Sequence, residues 1–308
     1  MVDLCAGTGA FTHAFESTGS VETVYANDFD ASSKTIYDAN FNHQLTLGDL
    51  CKINVKSIPK HDILTCGIPC QPFSIAGKRK GFADDRTNVF WKILEIIKYH
   101  KPLCVVIENV KNMATHDNGA TLKTITQALD GYYVKYNVLN TSDITGIPQG
   151  RERIYIVAVR KKITFNLDFL AKKKKHISKM LEPVVNDKYY YNDISNKIHQ
   201  MILTSATNKN TVYQFRRKYV RENQSNECPT LTANMGTGGH NVPIILDDYG
   251  VRKLTPRECF NLQGFPYDYV LPPLSDSKLY KLAGNAVSVP VVKLIADRLV
   301  PELLKHIK

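Results

Sequence analysis

Short apolar runs that each end in a polar or glycine-rich turn alternate with helical segments through the first half of the chain, and this alternation constrains the fold more than any other feature. The runs lie at 21–25 (VETVY), 62–66 (DILTC), 103–107 (LCVVI) and 154–159 (IYIVAV). Parallel strands need a connection long enough to cross back over a sheet face, so the pattern predicts a mostly parallel sheet with crossover helices, an α/β fold. Val89, Ile93 and Ile97 recur four apart with Phe90 and Leu94 on the adjoining row, which predicts an amphipathic helix over 88–99 closed before Pro102. From about Arg160 the pattern changes. A basic stretch with lysines at 172–175 leads into polar, Tyr-rich sequence and a Gly-rich segment at 235–239. A run of four lysines is ordinarily a solvated face, though on a basic protein it can also touch phosphates. Regular periodicity returns after Lys253, and 289–299 reads as a helix with Pro290 at its start, expected to rejoin the first domain. The expected division is a first domain over 1–165, a smaller one over 166–255, and a closing segment over 256–308 that completes the first.

A chain of 308 residues, 43% hydrophobic and 22% charged, can bury a core without disulfide or metal staples, which excludes global disorder. No run approaches the roughly 20 apolar residues of a membrane span, and no apolar stretch follows a basic start as in a signal peptide. Forty Lys and Arg against 29 Asp and Glu give a net charge of +11, which suits a polyanionic partner such as nucleic acid, or an anionic membrane surface. The seven cysteines are odd in number, scattered and without a CxxC pair, so they read as a reduced, intracellular set whose default role is core packing.

Chemistry gathers where strands are expected to end. The segment Asp3-Leu4-Cys5-Ala6-Gly7-Thr8-Gly9-Ala10-Phe11 falls between the first strand and a helix, where glycines let a ligand approach the backbone. A tight turn would use the same glycines. Asn27-Asp28 follows the second run, and a carboxylate there can accept hydrogen bonds from a ribose diol; Asp49 offers another acceptor at the next strand end. Together the three favour a nucleoside-containing cofactor. Gly67-Ile68-Pro69-Cys70-Gln71-Pro72-Phe73-Ser74 follows the run 62–66, and a cysteine in a loop at a strand end is placed to react. Only its thiolate is a strong nucleophile, and at a free pKa near 8.5 only ~3% is thiolate at pH 7, so neighbouring donors or cations are required. His61, Cys66 and Cys70 match no usual ligand spacing, and no metal is expected. Glu108 follows the run 103–107; a desolvated carboxyl group there can carry a proton near neutral pH, although an exposed helix-capping glutamate would look the same in sequence. Gln149-Gly150-Arg151-Glu152-Arg153 precedes 154–159, and alternation along an extended segment lets Arg151 and Arg153 converge on one pocket.

Taken in order, these motifs resemble the cytosine-5 DNA methyltransferase family of the bacterial and viral restriction-modification type, over nearly the entire chain. DLCAGTGAF resembles its cofactor loop, GIPCQPFS its nucleophile loop, and ENV and QGRERIYIVA its cytosine-binding segments, while RKLTPRECFNLQGFP and GNAVSVP resemble the motifs that close the fold. The resemblance implies a Rossmann-like, S-adenosylmethionine-dependent methyltransferase sheet carrying a smaller, mostly irregular or β target-recognition domain. It implies a base flipped out of the duplex, with Cys70 adding to ring carbon 6, Glu108 engaging ring nitrogen 3, Arg153 holding the 2-oxo group and Arg151 supporting the pocket. Residues 77–86 would close over the base. The cofactor residues carried over are Asp3, Cys5, Ala6, Gly7, Thr8, Gly9 and Phe11, then Asn27, Asp28 and Phe29, Asp49 and Leu50, and Pro69, Asn285 and Ala286. Two departures stand out: Cys5 occupies a position where relatives often have an aromatic residue, and Asp28 one where many have glutamate. Asp3 stands only two residues from the start, so the first strand is expected to be short.

PTLTANMGTGG at 229–239 resembles the core of the family's target-recognition domain, with Thr230-Leu231 its recurrent dipeptide. Candidate DNA contacts are Ser74, Arg86, Gln214, Arg216, Arg217, Thr230, Leu231, Thr232 and Asn234. The implied partner is double-stranded DNA, met by a monomer that is cytoplasmic and nucleoid-associated in a bacterium, with a cognate restriction endonuclease as a candidate companion and S-adenosylhomocysteine as the spent cofactor. Two other readings use the same residues. RNA methyltransferases include a tRNA-acting branch with the PCQP loop, and unrelated RNA enzymes with TC and PC dipeptides, here Thr65-Cys66 and Pro69-Cys70. A non-catalytic DNA-binding homologue would be expected to lack the cysteine or the glutamate. Glu108, the arginine pair and the polar insert favour duplex DNA.

Overall fold

The computed structural model describes residues 1–68, 88–223, 226–237 and 241–307. They form two compact units. The first comprises Met1–Leu139, Glu152–Leu170 and Val289–Lys308; the second comprises Asn140–Arg151 and Ala171–Ser288.

The first unit is built on a seven-stranded sheet. Its strands are β1 (Val2–Leu4), β2 (Tyr25–Asp28), β3 (Thr46–Leu47), β4 (Ile63–Gly67), β5 (Cys104–Val110), β6 (Tyr133–Asn140) and β8 (Glu152–Val159), in the order β3-β2-β1-β4-β5-β8-β6. Strands β1 to β5 pair in parallel and β8 runs antiparallel to β5. The chain lays β2 and β3 on one side of β1, then β4 and β5 on the other. The order therefore reverses between β1 and β4, and the carboxyl ends of those two strands are the usual ligand position in such sheets. Val2, Leu4, Leu64, Cys66, Val105, Ile107, Ile154, Ile156 and Ala158 are buried, the near-continuous apolar content of strands covered on both faces.

Helix α3 (Asn88–His100) buries Phe90, Ile93, Leu94, Ile96 and Ile97, as its periodicity predicts. Helix α9 (Val289–Leu304) returns to this unit, packs on α1 (Ala10–Glu16) and buries Val291, Val292, Ile295, Ala296, Leu299, Val300 and Leu303. It runs five residues beyond the expected end, with Pro301 inside it. Helices α2 (Ala31–Asp38) and α4 (Ala120–Ala128) complete the unit; Asp30 caps α2 by accepting from the Ser32 amide at 2.8 Å.

Three sequence expectations shift. The run 21–25 contributes only Tyr25 to a strand, because Val24 is exposed and pairing with β1 starts at Tyr25. Strand β5 extends through Glu108 and Asn109, and β8 begins at Glu152, because the antiparallel ladder continues to the Val110–Arg153 pair. Compactness also groups the chain otherwise than 1–165, 166–255 and 256–308. Segments 140–151 and 256–288 belong with the insert.

In the second unit, α5 (Thr141–Thr145) precedes β7 (Gln149–Gly150), which pairs with β11 (Cys228–Pro229). A small sheet of β9 (Tyr213–Phe215), β10 (Val220–Glu222), β12 (Ile244–Leu246) and β13 (Val251–Lys253) is antiparallel, in the order β10-β9-β12-β13. With α6 (Lys197–Ser205) it encloses a core of Ile202, Ala206, Tyr213, Phe215, Ile244 and Val251. Helix α7 (Pro256–Gln263) starts on a reciprocal Thr255–Glu258 cap with proline first and ends at Gly264 in the left-handed region; α8 (Asp276–Asn285) packs on it. Among the described residues no helix is long and apolar enough to cross a membrane.

Candidate active site

The loop that leaves β1 is shaped by left-handed backbone. Cys5, Gly7 and Gly9 have φ of 54°, 56° and 70°. A Cβ on Gly9 would lie 2.3 Å from the Phe41 ring, so glycine is required there for space as well as for conformation. The neighbouring strand end grips this loop: the Ala6 amide donates to the Asn27 carbonyl at 2.9 Å and the Gly7 amide to the Asp28 carboxylate at 2.9 Å. The second Asp28 oxygen accepts from the Asp30 amide at 2.9 Å. Burial raises the Asp28 pKa, against the Asp30 and Gly7 amide bonds. The Asn27 side chain donates to the carbonyls of Thr46 and Gly48, tying β2 to the loop after β3. Phe29 follows with its ring 75% exposed. Asp49 accepts from the Cys51 amide at 3.0 Å and keeps an exposed carboxylate edge, while Leu50 beside it is buried.

Other residues of the expected cofactor set turn inward. Ala6, Thr8 and Phe11 are buried, and burial pushes the half-buried Cys5 thiol up. Asp3 is wholly buried; Thr65 donates to one of its oxygens at 2.8 Å and Thr12 to the other at 2.9 Å. Burial outweighs these two donors and pushes its pKa up to about 7. That Thr12 and Thr65 hold Asp3 is not visible in the sequence motifs, where Thr65 figures only in the TC dipeptide. For Thr65 the one sequence signal is a polar residue inside the apolar run 62–66; the register that sets it beside Asp3 comes from the fold.

At the carboxyl end of β4, Gly67 pairs with Glu108 of β5, the Ile68 amide donates to the Glu108 carbonyl at 3.3 Å, and the Asn109 side chain donates to the Ile68 carbonyl at 3.2 Å. Glu108 is buried, and its Oε1 lies 3.1 Å from Nε of Arg153, whose side chain is 15% exposed. A carboxyl group and a guanidinium thus stand together beside the strand that leads into residues 69–87. Pro69, Cys70, Ser74, Arg86 and the expected closing segment 77–86 lie outside the described residues. Cys66, the cysteine of the alternative TC dipeptide, is fully buried in β4, and burial pushes its thiol well above the ordinary range.

Arg151 makes its carbonyl contacts within the second unit. It is 2% exposed in the second unit, where its guanidinium donates to the carbonyls of Leu231 at 2.9 Å, Ala286 at 2.7 Å and Gly284 at 3.3 Å. It therefore clamps the Thr-Leu segment to the end of α8. Gln149, which opens the same sequence motif, supplements it by donating to the Leu262 carbonyl and accepting from the Leu231 amide. Leu231 is interior, and the Thr230 hydroxyl donates to the Gly150 carbonyl at 2.6 Å. Gly284 lets α8 meet this segment, since a Cβ there would lie 2.1 Å from the Thr232 carbonyl carbon. Asn285 is exposed and Ala286 buried at that helix end. Of the expected DNA contacts, Thr232, Asn234, Arg216 and Arg217 are exposed; Gln214 is half-buried and accepts from Arg216 at 2.9 Å.

The chain matches the C-5 cytosine-specific DNA methylase family over residues 1–301. It is 45% identical to the type II methyltransferase M.Bsp6I of Bacillus sp. (strain RFL6), covering 99% of both chains, and 36% identical to the type II methyltransferase M.HhaI of Haemophilus parahaemolyticus, covering 96% of this chain and 92% of that one. In fold it is similar to the Entamoeba histolytica methyltransferase EhMeth, with a TM-score of 0.76 at 22% identity over 100% of this chain and 98% of that one. The chain belongs to the C-5 cytosine-specific DNA methylase family and is a DNA (cytosine-5-)-methyltransferase.

Proposed function

We propose that the enzyme methylates carbon 5 of a cytosine flipped out of a specific short duplex sequence, with S-adenosylmethionine as methyl donor and Cys70 as covalent nucleophile. The observation that carries this reading is the Glu108–Arg153 pair beside the exit of β4, two residues in sequence from Pro69-Cys70. The loop region at the carboxyl ends of β1 and β4 supports the donor. A Cβ on Gly7 would meet nothing nearer than 3.9 Å, Phe29 offers an exposed aromatic face, and Asp28 and Asp49 offer carboxylates, a set that suits an adenine, a ribose diol and a close-lying chain. Asp3, Cys5, Ala6, Thr8, Gly9, Phe11, Asn27 and Leu50 belong to or back this loop region, and the family resemblance adds Pro69, Asn285 and Ala286 to the cofactor set. When bound, S-adenosylmethionine supplies a methyl group on a sulfonium sulfur that an electron-rich carbon displaces.

The Cys70 thiolate adds to ring carbon 6. Glu108 holds or supplies a proton at ring nitrogen 3, and Arg153 orients that carboxyl group and reaches the 2-oxo group, so that electron density gathers at carbon 5. After carbon 5 is methylated, its proton leaves and elimination frees Cys70. Arg151 acts as a positioning residue through its three carbonyl bonds. The second unit reads sequence through residues such as Arg216, Arg217, Thr232 and Asn234, with Ser74 and Arg86 as further DNA contacts. Its relatives bear type II names, and we read this enzyme as one partner of a restriction-modification pair that acts as a monomer in the cytoplasm.

Methyl transfer from labelled donor to random-sequence duplex DNA and to RNA, with base-resolution mapping, tests the reading. Expected is labelling of one cytosine within one duplex motif, lost in Cys70→Ala while DNA binding persists. Labelling of RNA alone, or full turnover by Cys70→Ala, overturns it.

A further inference from the structure

The four lysines at 172–175 look in sequence like a floppy, self-repelling run, yet the structure pins them. The Lys172 amide donates to the Asp143 carbonyl at 2.7 Å and the Lys175 amide to the Gly146 carbonyl at 2.8 Å. These bonds fasten the run to the carboxyl-terminal end of α5, where a helix leaves carbonyls without partners of its own. The approach is close enough to demand glycine at 146. That residue has φ 75°, and a Cβ on it would lie 2.7 Å from the Lys173 carbonyl oxygen.

Within this fixed backbone the four side chains divide. Lys174 pairs with Glu227, whose residue is 9% exposed and whose carboxylate reaches over Gly150, where a Cβ would lie 2.8 Å from it. Lys172, Lys173 and Lys175 are exposed, and none has a carboxylate partner among the described residues. Asp143, whose carbonyl receives the Lys172 amide, has its carboxylate engaged locally by Asn140 and Ser142. Three like charges are therefore held together without neutralisation by an element that is itself anchored beside β7 and β11. A bound polyanion relieves that repulsion, and counterions released from its backbone favour association.

We propose that Lys172, Lys173 and Lys175 form a preset cationic strip that contacts phosphates of the duplex substrate, with Lys174 and Glu227 holding the strip in register. This rests on the reading of the substrate as duplex DNA. Phosphate contacts carry no base information, so the strip sets affinity and not site choice.

The test is the salt dependence of duplex binding by the intact enzyme, with Lys172, Lys173 and Lys175 all changed to Gln. Each lost phosphate contact makes the plot of log affinity against log salt shallower by about 0.9, so the triple variant is expected to lose about 2.7 from the slope. Cognate and unrelated duplexes weaken together, and the triple Arg variant keeps the parent slope. Equal slopes for parent and triple Gln variant overturn the strip while leaving the methyltransferase reading intact. Absence of salt-dependent duplex binding by the parent overturns that reading and the strip with it.

Discussion

Glu108 shows how a single side chain acquires a role from its neighbours. Its position in β5 fixes the backbone from both sides, through Gly67 of β4 and Tyr155 of β8, and Arg153 then meets its carboxyl group at 3.1 Å. Glu108→Gln retains size and much of the hydrogen bonding but cannot deliver a proton. Turnover is expected to fall about 10²–10⁴-fold with little change in duplex affinity, measured by single-turnover transfer. A rate near that of the parent would assign the acid role to another group. That both residues stand beside apolar runs is legible in sequence, although an exposed helix-capping glutamate would look the same there. Their pairing was not legible, since it depends on the antiparallel register of β8 against β5. The contacts of Arg151 were not legible for the related reason that alternation along an extended segment predicts direction but not partners. Only the fold brings Leu231, Gly284 and Ala286 around its guanidinium.

At the scale of elements, the long buried strands and α3 follow from periodicity, whereas the short strands of the second unit do not. Strands β9 to β13 each span two or three residues, too few for alternation to register. What organises that region is polar and buried. Arg252, 1% exposed, donates twice to Glu258 at 2.7 and 2.8 Å and also pairs with Asp247, while Glu258 accepts from the amides of Glu182 and Thr255. The network joins β13, the cap of α7 and the segment before α6. No spacing rule announces it, because an arginine and a glutamate six apart are unremarkable in sequence. Removing one partner strands a buried charge and is expected to cost about 3–5 kcal/mol. Glu258→Gln and Arg252→Met should each lower the urea midpoint, and the double variant should lose less than the sum of the two. Strict additivity in that double-mutant cycle would show that the pair is not coupled.

For the whole molecule, the net charge of +11 says little about stability near neutral pH, because lysine and arginine do not titrate there. The response to pH comes from buried groups, and two of them oppose each other. Burial pushes the Asp3 pKa from 3.8 up to about 7, while burial pushes the His61 pKa from 6.5 down to about 4. His61 donates from Nδ1 to the Pro59 carbonyl at 2.8 Å, and its buried Nε2 has no hydrogen-bond partner among the described residues. Between about pH 4 and 7 the unfolded chain gives up the Asp3 proton that the folded chain keeps, so rising pH costs the fold up to about 4 kcal/mol. Between about pH 6.5 and 4 the unfolded chain takes a proton on His61 that the folded chain refuses, so falling pH costs up to about 3 kcal/mol. Over their shared window the two slopes have opposite signs and nearly cancel. Asp28, also raised by burial, adds to the Asp3 side. Single variants should expose the hidden slopes in urea titrations at several pH values without added cofactor. Asp3→Asn keeps partners for Thr12 and Thr65 but has no carboxyl proton to lose, so its stability should fall more steeply than the parent's on acidification from pH 6.5. His61→Asn keeps a side-chain amide for Pro59 but cannot become an imidazolium, so its stability should fall more steeply than the parent's as pH rises from 4. Parallel curves for parent and both variants would mean that neither group is held in the ionisation state its burial imposes.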